Sequence, residues 1–181
     1  MNIDNFKIND NSRVFIIAEL SANHNGSKKI ALDTVKAAKR SGANCIKLQT
    51  YTPQTITIDS KRDDFMIKDT IWKGQNLFEL YKKAYTPWQW HEDIFNCAKE
   101  IGISCFSSPF DSTSVEFLEK LNVPAYKIAS FEITDIPLIE LVASKGKPVI
   151  ISTGIASEKD IERAINACKK MNNNNIALLK C

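Results

Sequence analysis

Residues 103–152, ISCFSSPFDSTSVEFLEKLNVPAYKIASFEITDIPLIELVASKGKPVIIS, decide the fold. Three short apolar runs, Ile103–Ser107, Ala125–Ala129 and Pro148–Ser152, alternate with two segments of helical spacing, Ser112–Leu121 and Pro137–Ser144. Gly146 follows the second as a helix stop. Strands that recur only after an intervening helix cannot pair as hairpins, so the pattern predicts βα units on a parallel sheet. Upstream, Val14–Glu19 reads as a strand. A polar turn at Asn23-His24-Asn25-Gly26 then leads into a helix over Ser27–Arg40, with Ser27 as N-cap. Its positions Ile30, Thr34, Val35 and Ala38 recur at helical spacing, and Gly42 ends it. Cys45–Gln49 follows as a strand. Another helix is predicted from Thr86-Pro87 to Gly102, with Thr86 as N-cap and Pro87 at the first helical position. Downstream, a helix over Glu158–Met171 leads to a last strand at Ile176–Cys181.

The stretch Thr50–Tyr85 breaks this rhythm. Ordinary βα loops run about 2 to 6 residues, so it is an insertion. Its second half, Gln75–Ala84, has helix-forming composition. It reads either as a surface excursion or as a cover over a site at the strand ends.

Composition narrows the function classes. The chain has 181 residues, 44% hydrophobic and 25% charged, with a net charge of +3, which fits a globular chain and excludes disorder. No apolar run approaches the roughly 18 to 20 residues of a membrane span, so no membrane partner is expected. The N-terminal segment MNIDNFKINDNSR lacks the apolar stretch of a secretory signal, and a cytoplasmic location is expected. A balance of 24 basic against 21 acidic residues argues against a nucleic-acid partner. The five cysteines, at 45, 97, 105, 168 and 181, form no CxxC and read as reduced thiols.

In a parallel sheet or barrel the chemistry gathers at the C-terminal strand ends. Those ends hold Glu19, Lys47 with Gln49, Ser107 with Ser108, Lys127 with Ser130, and Ser152-Thr153-Gly154. Lys47 and Gln49, two apart, share one face. A lysine inside a strand either points outward at an edge or is buried at the cost of desolvating an ammonium. Two such lysines, each followed by hydroxyl or amide groups, suit a phosphorylated or carboxylated anion. Glu19 would be their counter-charge or a proton-transfer group. His24 lies in the polar turn, and His91 reads as a surface or packing residue. Trp72, Trp88 and Trp90 read as packing or loop anchors. No His, Cys or carboxylate pair has metal-ligand spacing, no dinucleotide fingerprint follows the first strand, and Ser152 lacks the context of a hydrolase elbow.

Six segments, FIIAELSANHNGS (15–27), CIKLQTYTP (45–53), TPWQWHEDIF (86–95), CFSSPFD (105–111), VPAYKIASFE (123–132) and KPVIISTGIA (147–156), make the chain resemble the sialic-acid synthase family along its whole length. The resemblance implies a (β/α)8 TIM-barrel type fold of which about six βα units are present. It implies condensation of phosphoenolpyruvate with an acetamido sugar: carbon 3 attacks the sugar aldehyde, water adds at carbon 2, and phosphate leaves by C–O cleavage. By that analogy Lys47, Lys127, Ser130 and Ser152 hold phosphoenolpyruvate, while Glu19 and Gln49 face the sugar and the reacting centre. A divalent metal, Mn2+ or Mg2+, is expected for the full-length enzyme, with its two family histidines beyond the last strand and no metal ligand in this chain. A homodimer is likewise expected. ELSANHNG, where the N-acetylneuraminate enzymes carry an AEIGxNHxG form, and the insertion around Ile71-Trp72 to Leu80-Tyr81 favour a 2,4-diacetamido-2,4,6-trideoxy hexose as the sugar.

A family barrel has eight strands and a small antifreeze-like C-terminal domain, so the chain reads as an incomplete synthase domain, expected not to catalyse alone. Three other readings stay open: a family member making N-acetylneuraminate or legionaminic acid, a class I aldolase with Lys127 as Schiff-base lysine, and a silent fragment serving only to bind.

Overall fold

The computed structural model describes all 181 residues. A two-stranded antiparallel hairpin opens the chain, β1 (Asn2–Ile3) and β2 (Phe6–Lys7). Six parallel strands follow, interleaved with helices: β3 (Ile17–Glu19), α1 (Lys28–Arg40), β4 (Cys45–Thr50), α2 (Pro53–Ile56), α3 (Leu77–Ala84), α4 (His91–Glu100), β5 (Ser104–Pro109), α5 (Ser112–Lys120), β6 (Tyr126–Ile128), α6 (Ile136–Ala143), β7 (Val149–Ser152), α7 (Glu158–Lys170) and β8 (Ile176–Leu179). Short 3-10 turns at Trp88–Trp90 and Phe131–Thr134 precede α4 and α6. The sheet order β3-β4-β5-β6-β7-β8 equals chain order, with every neighbouring pair parallel. This is a curled portion of a TIM-type barrel wall, with the long helices packed on its outer face.

Register sorts the side chains into two sets, because successive residues of a strand point to opposite faces. Outward-pointing Ile46, Leu48 and Cys105 pack with Ala31 and Val35 of α1 and with Ile94 and Ala98 of α4. Outward-pointing Tyr126, Ile128, Val149 and Ile151 pack with Val115 and Leu118 of α5, with Leu138, Ile139 and Val142 of α6, and with Ala164 and Cys168 of α7. The inward set differs along the barrel axis. Near the strand starts Cys45, Phe106, Ala125 and Ile150 form a small apolar layer, closed from below by Ile3. Nearer the strand ends the same face carries Lys47, Lys127 and Ser152.

Helix starts follow local chemistry. Ser27 accepts the Ile30 N–H at α1, Asp111 accepts from Thr113 and Ser114 at α5, and Ser157 from Asp160 at α7. Outside the sheet, Glu119 on α5 accepts the Tyr126 hydroxyl at 2.6 Å and the Lys147 ammonium at 2.8 Å. Burial opposes ionisation of Glu119, yet these two hydrogen bonds hold its carboxyl below the usual range. The strand carrying Lys127 is thereby tied to its neighbouring helix.

Two expectations are corrected, and one unassigned segment gains a structure. The first parallel strand is only Ile17–Glu19, not Val14–Glu19. Val14 is 80% exposed and Ile16 53%, and the Ile16 N–H donates to the Asn44 side chain instead of to a strand. Thr86 does not cap the next helix: a 3-10 turn intervenes, α4 starts at His91, and the buried Thr86 hydroxyl makes no hydrogen bond. The N-terminal segment, to which the sequence pattern assigns no element, is a hairpin. Asp4 at φ +48° turns the chain between Ile3 and Phe6, and the Ser104 hydroxyl donates to its carboxylate at 2.6 Å.

Because Ile3 is fully buried in the inner layer, Ile3→Ala should lower stability by about 2 to 4 kcal/mol, read as a lowered urea midpoint with unchanged slope. His91 is fully buried behind the sheet, and burial pushes it down to about 4. The unfolded chain takes up that proton near 6.5, so the unfolded state binds more protons throughout the interval. Stability is therefore expected to fall as pH drops from about 6.5 towards 4, by up to about 3 kcal/mol. Urea midpoints across that interval should fall less steeply in His91→Gln.

Candidate active site

Inward parity brings the strand-end groups together. Glu19 stands opposite Lys47 in the β3–β4 register, Gln49 opposite Ser108 in β4–β5, and Lys127 opposite Ile150 in β6–β7, one pleat below Ser152. Lys47 and Lys127 are each only 5% exposed, so neither lies on an outward edge. The Lys47 ammonium sits 3.3 Å from the Glu19 carboxylate, which itself stays open to solvent. The Lys127 ammonium donates to the Ile128 carbonyl at 2.7 Å. Burial and then the Lys47 charge push Lys127 down to about 8, against the pull of Glu19, Cys181 and Glu132. Those groups therefore share one electrostatic neighbourhood.

The rim is built from hydroxyls and backbone. Ser130 lies 3.5 Å from the Cys181 thiol, and the Ser130 and Ser152 hydroxyls hold that thiol below its usual range. Gly154 closes this corner: a Cβ there would lie 3.0 Å from both Ser130 Oγ and Cys181 Cβ. Gln49 is half-buried on the same inward face as Lys47, one pleat nearer the strand end. The structure thus gathers Glu19, Lys47 and Lys127, with Ser130 and Ser152 adjoining. Gln49 stands further along, beside Ser108.

Two features at this end escaped the sequence reading. Glu132, in the 3-10 turn after β6, has a buried Oε2 with no hydrogen-bond partner, and burial holds its carboxyl above the usual range. It is the last residue of the motif KIASFE, where sequence alone gives it no role. Ser108 is a strand-end group by sequence, but its isolation is visible only in the fold: its hydroxyl is buried without any partner in the chain. The insertion also reaches this end. Tyr81 of α3 packs edge-on against Tyr51, with centroids 5.6 Å apart, and burial, then Glu132, pushes its hydroxyl above the usual range. Trp72 sits at the insertion's exposed tip, whereas Trp88 and Trp90 anchor the turn before α4.

The histidines stand elsewhere. His24 is buried, accepts the Gly26 N–H and packs edge-on against Trp90, while His91 bonds Thr50 behind the sheet. No three His, Cys, Asp or Glu side chains converge as a metal cage. A separate cleft, lined by Asp4, Phe6, Phe15, Lys39, Phe95 and Asn122, opens at the hairpin end, away from the lysines.

Two buried cations, facing Glu19 closely and Glu132 from farther off, stand in a low-dielectric site beside several hydroxyls. That arrangement is complementary to a compact anion. The fold and site define a barrel-wall protein whose strand ends turn two buried lysines inward. The chain belongs to the NeuB family, whose model matches residues 34–181. It is 51% identical over 166 residues to the pseudaminic acid synthase of Helicobacter pylori, covering 92% of this chain and 49% of that protein. It is 49% identical over 181 residues to the pseudaminic acid synthase of Campylobacter jejuni serotype O:2, covering all of this chain and 52% of that one. The chain spans about half the length of the curated relatives it matches. Among solved structures, an N-acetylneuraminic acid synthetase from Leptospira borgpetersenii superposes with a TM-score of 0.86 at 31% identity, over 100% of this chain and 58% of that one.

Like charge depresses Lys127 and opposite charge supports it, which gives a test with two signs. Lys47→Met should raise the Lys127 pKa from about 8 towards the ordinary ammonium range, and Glu19→Gln should lower it further. Lysine side-chain NMR titrations of the two variants measure both shifts. A Lys127 titration unmoved by either change would refute the shared neighbourhood.

Proposed function

We propose that this chain carries the phosphoenolpyruvate-binding wall of a pseudaminic acid synthase, which condenses phosphoenolpyruvate with a 2,4-diacetamido-2,4,6-trideoxy hexose and releases phosphate. The observation that carries the reading is the pair of buried lysines beside Glu19, in a chain about half identical to proteins of that name. Legionaminic acid synthases are more distant, 33% identical for the Campylobacter jejuni protein. That difference favours the trideoxy hexose over other acceptors.

Each residue then has a task set by its surroundings. Lys47 and Lys127 neutralise the carboxylate and phosphate of phosphoenolpyruvate, and the Ser130 and Ser152 hydroxyls orient them. Buried cations act without reorganising water, so their leverage on charge developing in the transition state is large. Glu19, paired with Lys47 yet open to solvent, faces the incoming sugar and can hold or move a proton at its hydroxyls. Gln49 adds a neutral amide beside it. Bound phosphoenolpyruvate would supply the opposite charge that Lys127 lacks, so binding favours protonated Lys127 and weakens as pH rises above about 8. In this reading the protein works in the cytoplasm as a homodimer. No helix is long and apolar enough to cross a membrane. The divalent metal expected from the family resemblance would draw its ligands from other side chains than these.

Calorimetry with phosphoenolpyruvate tests the reading. Lys127→Met should weaken binding roughly ten- to a hundredfold, the loss of one charge-assisted contact of about 1.5 to 3 kcal/mol, and leave sugar affinity far less changed. Equal affinity in wild type and variant would refute the assignment. Borohydride reduction with pyruvate separates the aldolase alternative, since a covalent adduct at Lys127 would replace the synthase reading.

A further inference from the structure

The sheet's outer face holds a polar chain that the anion site does not use. Thr50, His91 and Ser107 are all fully buried. His91 Nδ1 lies 3.3 Å from the Pro87 carbonyl and Nε2 2.9 Å from Thr50 Oγ1, which in turn lies 2.6 Å from Ser107 Oγ. Proton inventory fixes its direction. A carbonyl only accepts, so Nδ1 carries the hydrogen, and in the neutral ring Nε2 accepts. The Thr50 hydroxyl must therefore donate to Nε2, which leaves its oxygen to accept from the Ser107 hydroxyl. A one-way chain runs from β5 through β4 to the first turn of α4. Phe117 packs edge-on against the imidazole and stacks on Trp88, whose indole N–H donates to the Tyr51 carbonyl at 3.1 Å.

Burying three polar groups gains little stability over apolar residues of the same shape, but it imposes one geometry. What that geometry fixes is set by strand parity. Thr50 follows Gln49, and Ser107 precedes Ser108; Gln49 and Ser108 are register partners facing inward. The Ser108 hydroxyl is buried with no partner, so its direction is left to its backbone. We infer that His91 is a positioning residue: through Thr50 and Ser107 it locks the ends of β4 and β5 together and so aims Gln49 and Ser108 into the strand-end site. This rests on the anion-site reading proposed above and adds the partnerless Ser108 hydroxyl to the groups that face the anion.

The test compares the wild-type chain with His91→Gln, Thr50→Val and the double variant, using calorimetry with phosphoenolpyruvate and NMR of Gln49 and Ser108 side chains. Each single change should weaken binding about tenfold, and the double variant should be no weaker than the worse single, because both cut one chain. The Ser108 Cβ and Gln49 side-chain amide resonances should move in His91→Gln, although His91 contacts neither residue. Variants that stay folded, bind like wild type and leave both resonances in place would overturn the inference. If wild type does not bind phosphoenolpyruvate, the functional reading fails, and the two resonances alone decide the positioning role. If His91→Gln does not fold, the near-isosteric Thr50→Val decides it by binding and by the Ser108 resonance.

Discussion

Two ammonium groups held a few side chains apart inside a protein repel each other and give up most of their water. Everything at the strand ends answers that constraint. Lys47 is relieved by Glu19 at 3.3 Å, while Lys127 has only the Ile128 carbonyl and more distant carboxylates, and burial together with the Lys47 charge pushes it down to about 8. The strain is uneven, and the less compensated lysine is the one an incoming anion would relieve most. A site completed by its ligand needs a scaffold rigid enough to hold it unfilled. Here that scaffold is the outer packing of α5, α6 and α7 against β6 and β7, with the Tyr126–Glu119–Lys147 link at its edge.

The barrel interior is correspondingly divided. Its lower layer is apolar and closed by the N-terminal hairpin through Ile3. Its upper layer is charged and open to ligand. The division puts the desolvated charges next to solvent access at one end only, so the apolar layer can be packed without regard to chemistry. The same strands serve both layers, one pleat apart, which is why a short strand such as Tyr126–Ile128 can present Lys127 inward and two large core residues outward.

Much of this was legible in the sequence because strand parity and strand-end position are local properties. Lys47 and Gln49 on one face, Lys127 three residues before Ser130, and the alternation of helix and strand needed no tertiary knowledge. The failures were of another kind. The hairpin was missed because Asp4-Asn5 reads as polar lead unless Ile3 and Phe6 are recognised as its flanks. Val14–Ile16 looked like strand because apolar content does not reveal whether a partner lies alongside. His91 could be assigned to surface or packing but not to Thr50, a contact across 41 positions that only the fold creates. Glu132 and Ser108 were hidden for the same reason: a side chain's lack of a partner is a property of its neighbours.

Gly154 has a consequence for how the site can vary. It is not there for an unusual turn; it is there because Ser130 and Cys181 occupy the space a side chain would need. That corner is bounded by backbone, so its size is set by an atom that is missing. Neighbouring Ile155, 58% exposed, can drift freely, whereas position 154 has no smaller residue to move to and no larger one it can admit without displacing Ser130. Reshaping this corner for a differently shaped ligand would therefore take a change at 154 together with one at Ser130.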